Sequence, residues 1–262
     1  MELTVDGAKV YAYCAGHKLD PRLPTIVFVH GAAHDHSVWS LQSRYFAFHS
    51  NNVLALDLPG HGRSLGEPLA DIAAMAQWVM RVLDATGTEQ AALVGHSMGS
   101  LVALEAAARH PGRVRKLALL GISLPMPVSD VFLEAARQDE RRAFVMHNVW
   151  GHGGQVQIGG DPVPGMWMLG GALRLLQRTH PGVLYTDLRA CNGYADGIAS
   201  AATIRCPTLL VLGKRDLMTP PHAAREVERL ISGSRAVWLD ACGHAIMAEQ
   251  PGAVLDALIA FL

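Results

Sequence analysis

The residue with the most evident chemistry in this chain is a serine between two glycines. Ser97 lies in Leu93-Val94-Gly95-His96-Ser97-Met98-Gly99-Ser100, where an apolar strand leads into G-x-S-x-G and then into an alanine-rich helix. A sharp turn from strand to helix strains the backbone at the serine and leaves no room for side chains on Gly95 and Gly99. The helix that begins there offers free N–H groups and its positive end, which favour negative charge during acyl transfer. The pattern therefore predicts that Ser97 is a nucleophile.

A serine nucleophile needs a base, and the base needs a carboxylate that fixes its tautomer. Two loops further along the chain supply these residue types. Asp216 follows an apolar strand in Gly213-Lys214-Arg215-Asp216, and His244 follows the next strand in Asp240-Ala241-Cys242-Gly243-His244. The order serine, aspartate, histidine is the one found in α/β sheets that carry such a triad. We predict His244 as the base and Asp216 as the residue that orients it.

Short apolar runs predict the strands that position these loops. Residues 2–5 and 9–14 read as a hairpin around the turn Asp6-Gly7. Six later runs are apolar on both faces, as covered strands of a parallel sheet are: 25–29, 53–56, 91–94, 116–120, 208–212 and 236–239. Since open α/β sheets assemble their sites at the carboxyl ends of the strands, Ser97, Asp216 and His244 should meet at one rim.

Helical patterns alternate with most of these strands. They cover residues near 70–86, 98–109, 221–232 and 251–262, which predicts helices on both faces of the sheet. The alternation stops between about Ile122 and Thr203, where proline, glycine, methionine and helix-like apolar stretches replace core strands. We therefore predict a core of residues 1–121 and 204–262, with residues 122–203 inserted as a helical cap.

Composition excludes several classes of protein. Of the 262 residues, 50% are hydrophobic and 17% are charged, enough apolar material for a large core. The formal charge of −1 and the scattered basic residues provide no surface for nucleic acid. The start of the chain lacks a secretion signal and no apolar run reaches membrane-spanning length, so we expect a soluble cytoplasmic protein without membrane partners. The oligomeric state cannot be derived from these features.

Several motifs together resemble the α/β-hydrolase superfamily, in particular its small capped esterase and lactonase-like members, over nearly the whole chain. The segment from His30-Gly31 to Trp39 is similar to the oxyanion loop of the family. Residues 57–64 are similar to the family's loop after the fourth strand, and their sequence is Asp57-Leu58-Pro59-Gly60-His61-Gly62-Arg63-Ser64. Gly243-His244 with Glu249-Gln250-Pro251 resembles the histidine loop and the last helix. The resemblance implies a mostly parallel eight-stranded sheet, helices on both faces and an inserted helical cap. It also implies that the backbone N–H groups of Ala32 and Met98 form the oxyanion hole.

The function expected from this resemblance is cleavage of a small ester, lactone or thioester through an acyl-enzyme, without a cofactor. A serine at the turn argues against haloalkane dehalogenases and epoxide hydrolases, whose family pattern has an aspartate there. A carbon–carbon bond hydrolase and a cofactor-free perhydrolase use the same triad and remain alternatives. An alternative of another class is a ligand-sensing protein with this fold.

Other residues with reactive side chains have structural interpretations. His30, His61 and His96 are expected to brace their loops by hydrogen bonding. His34-Asp35-His36 has ligand residue types but no accompanying cluster, so we predict no metal site. In the cap, we expect large side chains either to roof an apolar pocket or to pack on the core: Phe144, Met146, Trp150, Met166, Trp167 and Met168. The four cysteines are expected to be free thiols: Cys14, Cys191, Cys206 and Cys242.

Overall fold

All eight predicted strands form one sheet. The computed structural model describes residues 1–160 and 167–262. Its strands are β1 Glu2–Val5, β2 Ala8–Tyr13, β3 Thr25–Val29, β4 Asn52–Leu56, β5 Ala91–His96, β6 Val114–Leu120, β7 Thr208–Gly213 and β8 Arg235–Leu239. Strands β3 to β8 each contain or nearly coincide with one of the six predicted apolar runs, and β1 and β2 form the predicted hairpin around Asp6-Gly7.

The strand order is β1-β2-β4-β3-β5-β6-β7-β8. The β1–β2 and β2–β4 pairs are antiparallel, whereas every other neighbouring pair is parallel. The register pairs Val29 with Gly95 and His96 with Leu120, so the carboxyl ends of β3, β5 and β6 lie level with one another. The loops that follow these strands therefore open at the same edge.

Helices occupy both faces of the sheet, as predicted. They are α1 Ser40–Ala47, α2 Ile72–Ala85, α3 Met98–Arg109, α4 Asp130–Gln138, α5 Glu140–Gly151, α6 Gly154–Gln157, α7 Met168–Leu176, α8 Val183–Gly193, α9 Gly197–Thr203, α10 Pro221–Leu230, α11 Ile246–Glu249 and α12 Pro251–Ile259, with a 3₁₀ turn at His36–Trp39. Sequence patterning missed α1 and α11, because each is short and only weakly periodic.

The core has one layer on each side of the sheet. Within β3, Val27 belongs to the layer that contains residues of α2 and α3, whereas Phe28 belongs to the layer with residues of α12. This alternation follows from the two-residue period of a strand. The central strands are therefore buried on both faces, which holds the loops at their ends on a rigid support.

The prediction of a strand covered on both faces is wrong for β8. Arg235 is exposed, and Ala236, Val237 and Trp238 are only partly buried. The reason is position, since β8 is the edge strand and pairs with β7 alone. An apolar run at the end of a sheet is not distinguished from an interior one by its composition.

Between β6 and β7 the described residues form six helices, α4 to α9, all of them within residues 122–203. Helix α4 starts at a serine cap, where Ser129 Oγ accepts a hydrogen bond from the N–H of Phe132. Helices α8 and α9 contact α3, the helix that follows Ser97. The inserted segment is thus anchored beside the helix that begins at the serine. No described helix has both the length and the apolar composition needed to cross a bilayer.

Candidate active site

Ser97 stands at the turn between β5 and α3. Its φ of 54° and ψ of −120° place it in the strained left-handed half of backbone space. A Cβ on Gly95 would collide with the carbonyl of Gly99, and one on Gly99 would collide with the carbonyl of Val29. Both glycines are therefore required by the close approach of strand, turn and helix, as predicted. The Ser97 side chain remains partly exposed and faces a cavity.

The predicted base and carboxylate are in direct contact. His244 Nδ1 lies 2.8 Å from Asp216 Oδ2, and the two residues are only 3% and 2% exposed. Asp216 also accepts hydrogen bonds from the N–H of Met218 and the N–H and hydroxyl of Thr219. The carboxylate is thus fixed by its own loop, and it holds the imidazole by one nitrogen.

The electrostatics of Asp216 favour its ionised form. Burial alone would raise the pKa of this carboxyl group, but the charge and hydrogen bond of His244 and the hydrogen bonds of Thr219 outweigh it. The pKa of Asp216 is therefore lowered. An ionised Asp216 keeps the proton of the neutral imidazole on Nδ1 and leaves Nε2 free to accept one.

Ser97 and His244 occupy the same edge of the sheet. His96, the residue before the serine, has its Nε2 2.8 Å from the carbonyl oxygen of His244, and the two rings are 4.8 Å apart. A Cβ on Gly121, at the end of β6, would lie 3.2 Å from the His244 ring. The hydrogen bonds of the described residues join His244 to Asp216 and do not include Ser97 Oγ. The serine–histidine contact is therefore a prediction rather than an observed bond.

Two backbone N–H groups of residues close to Ser97 have no acceptor among the described residues. Among the described residues, neither Ala32 N–H nor Met98 N–H donates a hydrogen bond within the protein. Met98 is the first residue of α3, and a Cβ on Gly31 would lie 3.2 Å from the Cβ of Ser97. Ala32 and Ser97 also line the same cavity. The two groups that the resemblance implies as an oxyanion hole are therefore both beside Ser97.

The loop that resembles an oxyanion loop is held by residues that sequence reasoning missed. Asp187 Oδ2 in α8 accepts the N–H of Ala33 at 2.8 Å, and Thr179 Oγ1 donates to the carbonyl of Ala33 at 2.6 Å. Ala33 has a φ of 56°, which a non-glycine residue adopts only under constraint. We call this pair of contacts the Ala33 clamp. Both come from the inserted segment, and nothing local in the sequence marks these two side chains as partners of Ala33.

His61 contacts the same carboxylate oxygen of Asp187 that accepts the N–H of Ala33. Its Nε2 lies 2.8 Å from Asp187 Oδ2 and its Nδ1 lies 2.9 Å from the carbonyl of Pro59, so both nitrogens face acceptors. Burial lowers the pKa of His61, but the Asp187 carboxylate outweighs this and raises it overall. An imidazolium satisfies both acceptors, whereas a neutral ring satisfies only one. The loop-bracing role expected for His61 is thus an ion pair with the inserted segment.

His30 and His96 also brace loops, as expected. His30 Nδ1 bonds the carbonyl of Gly31, and its Nε2 accepts the N–H of Leu58. His96 bonds the carbonyl of His244, and burial lowers its pKa to about 3. Neutral histidines at these positions tie neighbouring strand ends together without adding charge at Ser97.

A cavity of about 340 Å³ lies in front of Ser97. Its wall consists of Ala32, Ser97, Met126, Pro127, Val128, Ser129, Phe132, His147, Trp150, Leu188, Cys191, Leu217, Met218 and Thr219. Of the large side chains predicted for a pocket or for packing, Trp150 lines the cavity, Phe144 and Met168 are buried, and Trp167 is 79% exposed. Met146 packs partly buried on the core, and Met166 lies outside the described residues.

The four cysteines are free thiols, as expected.

Two residues of the stretch His34-Asp35-His36, for which no metal site is predicted, lie close to a third residue of a metal-ligand type. Asp35, His36 and Asp57 bring three ligand atoms within 4.8 Å of one another. Each already has a protein partner: His36 Nδ1 bonds Asp57, Asp57 accepts the N–H of Arg63, and Asp35 accepts the N–H of Ser37. These bonds account for the grouping as bracing of the two loops, and we propose no metal there.

Comparison with known proteins agrees with this architecture. Residues 26–257 match the profile of the alpha/beta hydrolase family. The chain is 32% identical over 206 residues to the pimeloyl-[acyl-carrier protein] methyl ester esterase of Neisseria meningitidis serogroup B, covering 74% of this chain and 75% of that one. It is 29% identical over 245 residues to a protein of Klebsiella pneumoniae named as the carbamate hydrolase RutD, covering 86% of each.

A solved structure shares the fold over the full chain. The enol-lactonase from Burkholderia xenovorans LB400 superposes with a TM-score of 0.87 at 24% identity, covering 100% of this chain and 99% of that one. At this identity the likeness establishes the fold and not the substrate. The eight-stranded, mostly parallel sheet with helices on both sides is the arrangement that these relatives lead one to expect. The chain therefore belongs to the alpha/beta hydrolase family.

Proposed function

We propose that this protein is a serine hydrolase that cleaves a small ester, lactone or thioester through an acyl-enzyme. Ser97 is the nucleophile, His244 the base, and Asp216 the carboxylate that orients the base. The N–H groups of Ala32 and Met98 form the oxyanion hole. The observation that carries the proposal is the buried 2.8 Å contact between His244 and Asp216 at the sheet edge where Ser97 stands in a strained turn.

The reaction follows from these roles. Ser97 Oγ attacks the carbonyl carbon as His244 Nε2 takes its proton, and the resulting oxyanion accepts hydrogen bonds from Ala32 and Met98. His244 then gives the proton to the departing alcohol, which leaves Ser97 acylated. Water attacks this acyl group with its proton going to His244, and transfer of that proton back to Ser97 releases the acid. The bonds and protons balance without a redox partner.

Relatives bear on the kind of bond that is cleaved. The Neisseria relative is an esterase by name, and its similarity extends over about three quarters of both chains. The Klebsiella relative is named for carbamate hydrolysis, which also proceeds by attack on an acyl carbon. Both favour an ester-like bond over the carbon–carbon bond of the alternative hydrolase. They do not bear on the perhydrolase or the ligand sensor.

We also propose that residues 122–203 act as a cap over the site. Residues of this segment, including Phe132, His147, Trp150 and Leu188, line the cavity in front of Ser97. The carbonyl of Gly151, at the end of α5, accepts hydrogen bonds from the N–H groups of His244 and Ala245. A cap that forms the wall of the cavity and touches the histidine loop would couple substrate binding to the position of the base.

Active-site labelling together with turnover tests the proposal. A fluorophosphonate probe is expected to label wild-type protein at Ser97, and short p-nitrophenyl esters should be hydrolysed. Ser97→Ala should lose labelling and about 10⁴- to 10⁶-fold in kcat, because the hydroxyl nucleophile is gone. Ser40→Ala, which changes an exposed serine, is the matched control and should retain both.

Two results would decide against it. Turnover that persists in Ser97→Ala would remove the serine from the mechanism. Labelling of Ser97 without turnover of any ester, lactone or thioester would favour the ligand-sensing alternative.

A further inference from the structure

An imidazole in the wall of the cavity in front of Ser97 has no hydrogen-bond partner among the described residues. His147 lies on α5 and lines the cavity together with Ser97 and Ala32. It is 8% exposed, yet among the described residues its ring makes no hydrogen bond. By contrast, Nδ1 of the nearby His152 bonds the carbonyl of Asn148. A polar side chain that is more than nine-tenths buried normally has a partner, so this one calls for an explanation.

The ring nitrogens of His147 still reach open space. Within the described part of the chain, the buried polar atoms that are sealed without a partner include Nε2 of His152 but neither nitrogen of His147. Since His147 lines the cavity, that space is where a bound molecule would sit. The ring is held in place by aromatic neighbours, with centroids 5.3 Å from the ring of His34 and 6.2 Å from that of Phe132.

The remainder of the wall has little capacity to bind a charged group. Among the described residues of the wall there is no Asp, Glu, Lys or Arg. The hydroxyl of Thr219 donates to Asp216, and that of Ser129 accepts the N–H of Phe132. Most other wall residues are apolar. Burial first, and then the neighbouring histidines, lower the pKa of His147, so its ring is neutral at physiological pH.

We infer that His147 is a specificity-determining residue that hydrogen-bonds an uncharged oxygen of the substrate, a hydroxyl or carbonyl remote from the scissile bond. This inference rests on the proposed function. It assigns to the site a neutral, mainly apolar ester with one additional oxygen, small enough for a cavity of about 340 Å³. Substrates with a carboxylate or phosphate beside the scissile bond are disfavoured, because nothing in the described wall neutralises them.

The chemistry of a neutral imidazole supports this assignment. One ring nitrogen donates and the other accepts, so the ring can pair with either a hydroxyl or a carbonyl oxygen. A buried polar group left without a partner disfavours binding of a ligand that cannot bond it. An ester that lacks the extra oxygen would press apolar atoms against His147 and leave its ring nitrogens without a partner.

A panel of methyl esters of equal chain length tests the inference: methyl butyrate, methyl 2-hydroxybutyrate, methyl 3-hydroxybutyrate, methyl 4-hydroxybutyrate and methyl acetoacetate. Wild-type enzyme is expected to show a kcat/KM at least about tenfold higher for one oxygenated ester than for methyl butyrate, as one buried hydrogen bond allows. His147→Phe keeps a ring beside Phe132 but removes both nitrogens, and the ratio should fall toward one. His147→Gln restores a donor and an acceptor and should recover part of the ratio.

The controls separate this inference from the proposed function. Fluorophosphonate labelling of Ser97 counts the competent sites in each variant, so a loss of folding is not read as a loss of specificity. Absence of labelling in wild-type protein would overturn the proposed function itself. Labelling with a ratio near one for every ester, or a ratio that His147→Phe leaves intact, would overturn only the role of His147.

A measurement on folded Ser97→Ala protein needs no change at His147. The imidazole nitrogen resonances of His147 should shift when the preferred oxygenated ester is added and should shift much less with methyl butyrate. Equal shifts for the two esters would contradict the inference.

Discussion

The Ala33 clamp connects the inserted segment to the proposed oxyanion hole, and its removal should slow catalysis. In Asp187→Ala the N–H of Ala33 loses its acceptor and His61 loses its ion-pair partner, both in buried positions. The peptide between Ala32 and Ala33 is then no longer held, and the loop can shift so that the N–H of Ala32, in the preceding peptide, moves away from the oxyanion. We therefore expect the variant to lose kcat and to change little in KM, because the clamp does not touch the substrate.

The size of the effect follows from the contacts. A buried N–H without an acceptor costs about 1–3 kcal/mol, and a buried charge without its partner costs about 3–5 kcal/mol. Loss of a single oxyanion donor lowers kcat by about 10² to 10³, which sets the upper limit here because the donor is displaced and not deleted. The same costs reduce the free energy of unfolding, so Asp187→Ala is expected to be markedly less stable.

Thr179→Val provides a milder test of the same clamp. It removes only the hydrogen bond to the carbonyl of Ala33 and should lower kcat by about two- to tenfold. Thr186→Val is the matched control, since the hydroxyl of Thr186 bonds the carbonyl of Gly182 within its own helix. Because Asp187 and Thr179 hold the two peptide groups that flank one residue, Ala33, the double variant should lose less than the product of the two single effects.

The assay is p-nitrophenyl acetate hydrolysis with kcat normalised to the fraction of Ser97 that a fluorophosphonate labels. Circular dichroism and thermal unfolding report whether each variant is folded. A folded Asp187→Ala protein with wild-type kcat would refute the clamp as a positioning device. A parallel change in kcat for Thr186→Val would show that the readout is not specific to Ala33.

Three further predictions follow from the site. Asp216→Asn should retain the fold by circular dichroism and lose up to about 10⁴-fold in kcat, since the base loses the carboxylate that fixes its tautomer; wild-type kcat would contradict this. Gly99→Ala should lower the melting temperature sharply because its Cβ meets the carbonyls of Val29 and His30 at the end of β3, whereas Gly112→Ala, with open space around it, should not. The raised pKa of His61 should stabilise the fold fully below pH 6.5, its ordinary value, and this contribution should disappear as the pH rises through the folded-state pKa. The difference in the free energy of unfolding between wild type and His61→Gln should therefore shrink as the pH rises, and a difference that stays constant with pH would contradict the ion pair.

The strands, the turn at Ser97 and the loops of Asp216 and His244 could be predicted because their signals are local. A strand is encoded in five or six consecutive apolar residues, and the tight turn is encoded in Gly95 and Gly99, for which no other residue fits. The topology of a parallel sheet then brings the carboxyl ends of the strands together without further information. This much of the fold and of the candidate site follows from patterning.

The parts that sequence reasoning missed depend on contacts across long stretches of chain. Asp187 and Ala33 are separated by 154 positions, and Asp187 occupies one position in a helix whose periodicity reveals burial but not partners. His147 is likewise one of 13 histidines, and only its place in the cavity wall distinguishes it. The half-exposed face of β8 was missed because composition does not reveal which strand ends the sheet.

The most direct test of the central claim is to locate the acyl group during turnover. Wild-type enzyme is mixed with p-nitrophenyl acetate and quenched in acid within the first turnovers, and its peptides are then sequenced by mass spectrometry. We expect an acetyl group on the hydroxyl of Ser97, and no acetylation at this position in Ser97→Ala treated in the same way. Continued hydrolysis with the acetyl group on a different residue, or with no acylated peptide under conditions that preserve esters, would contradict it.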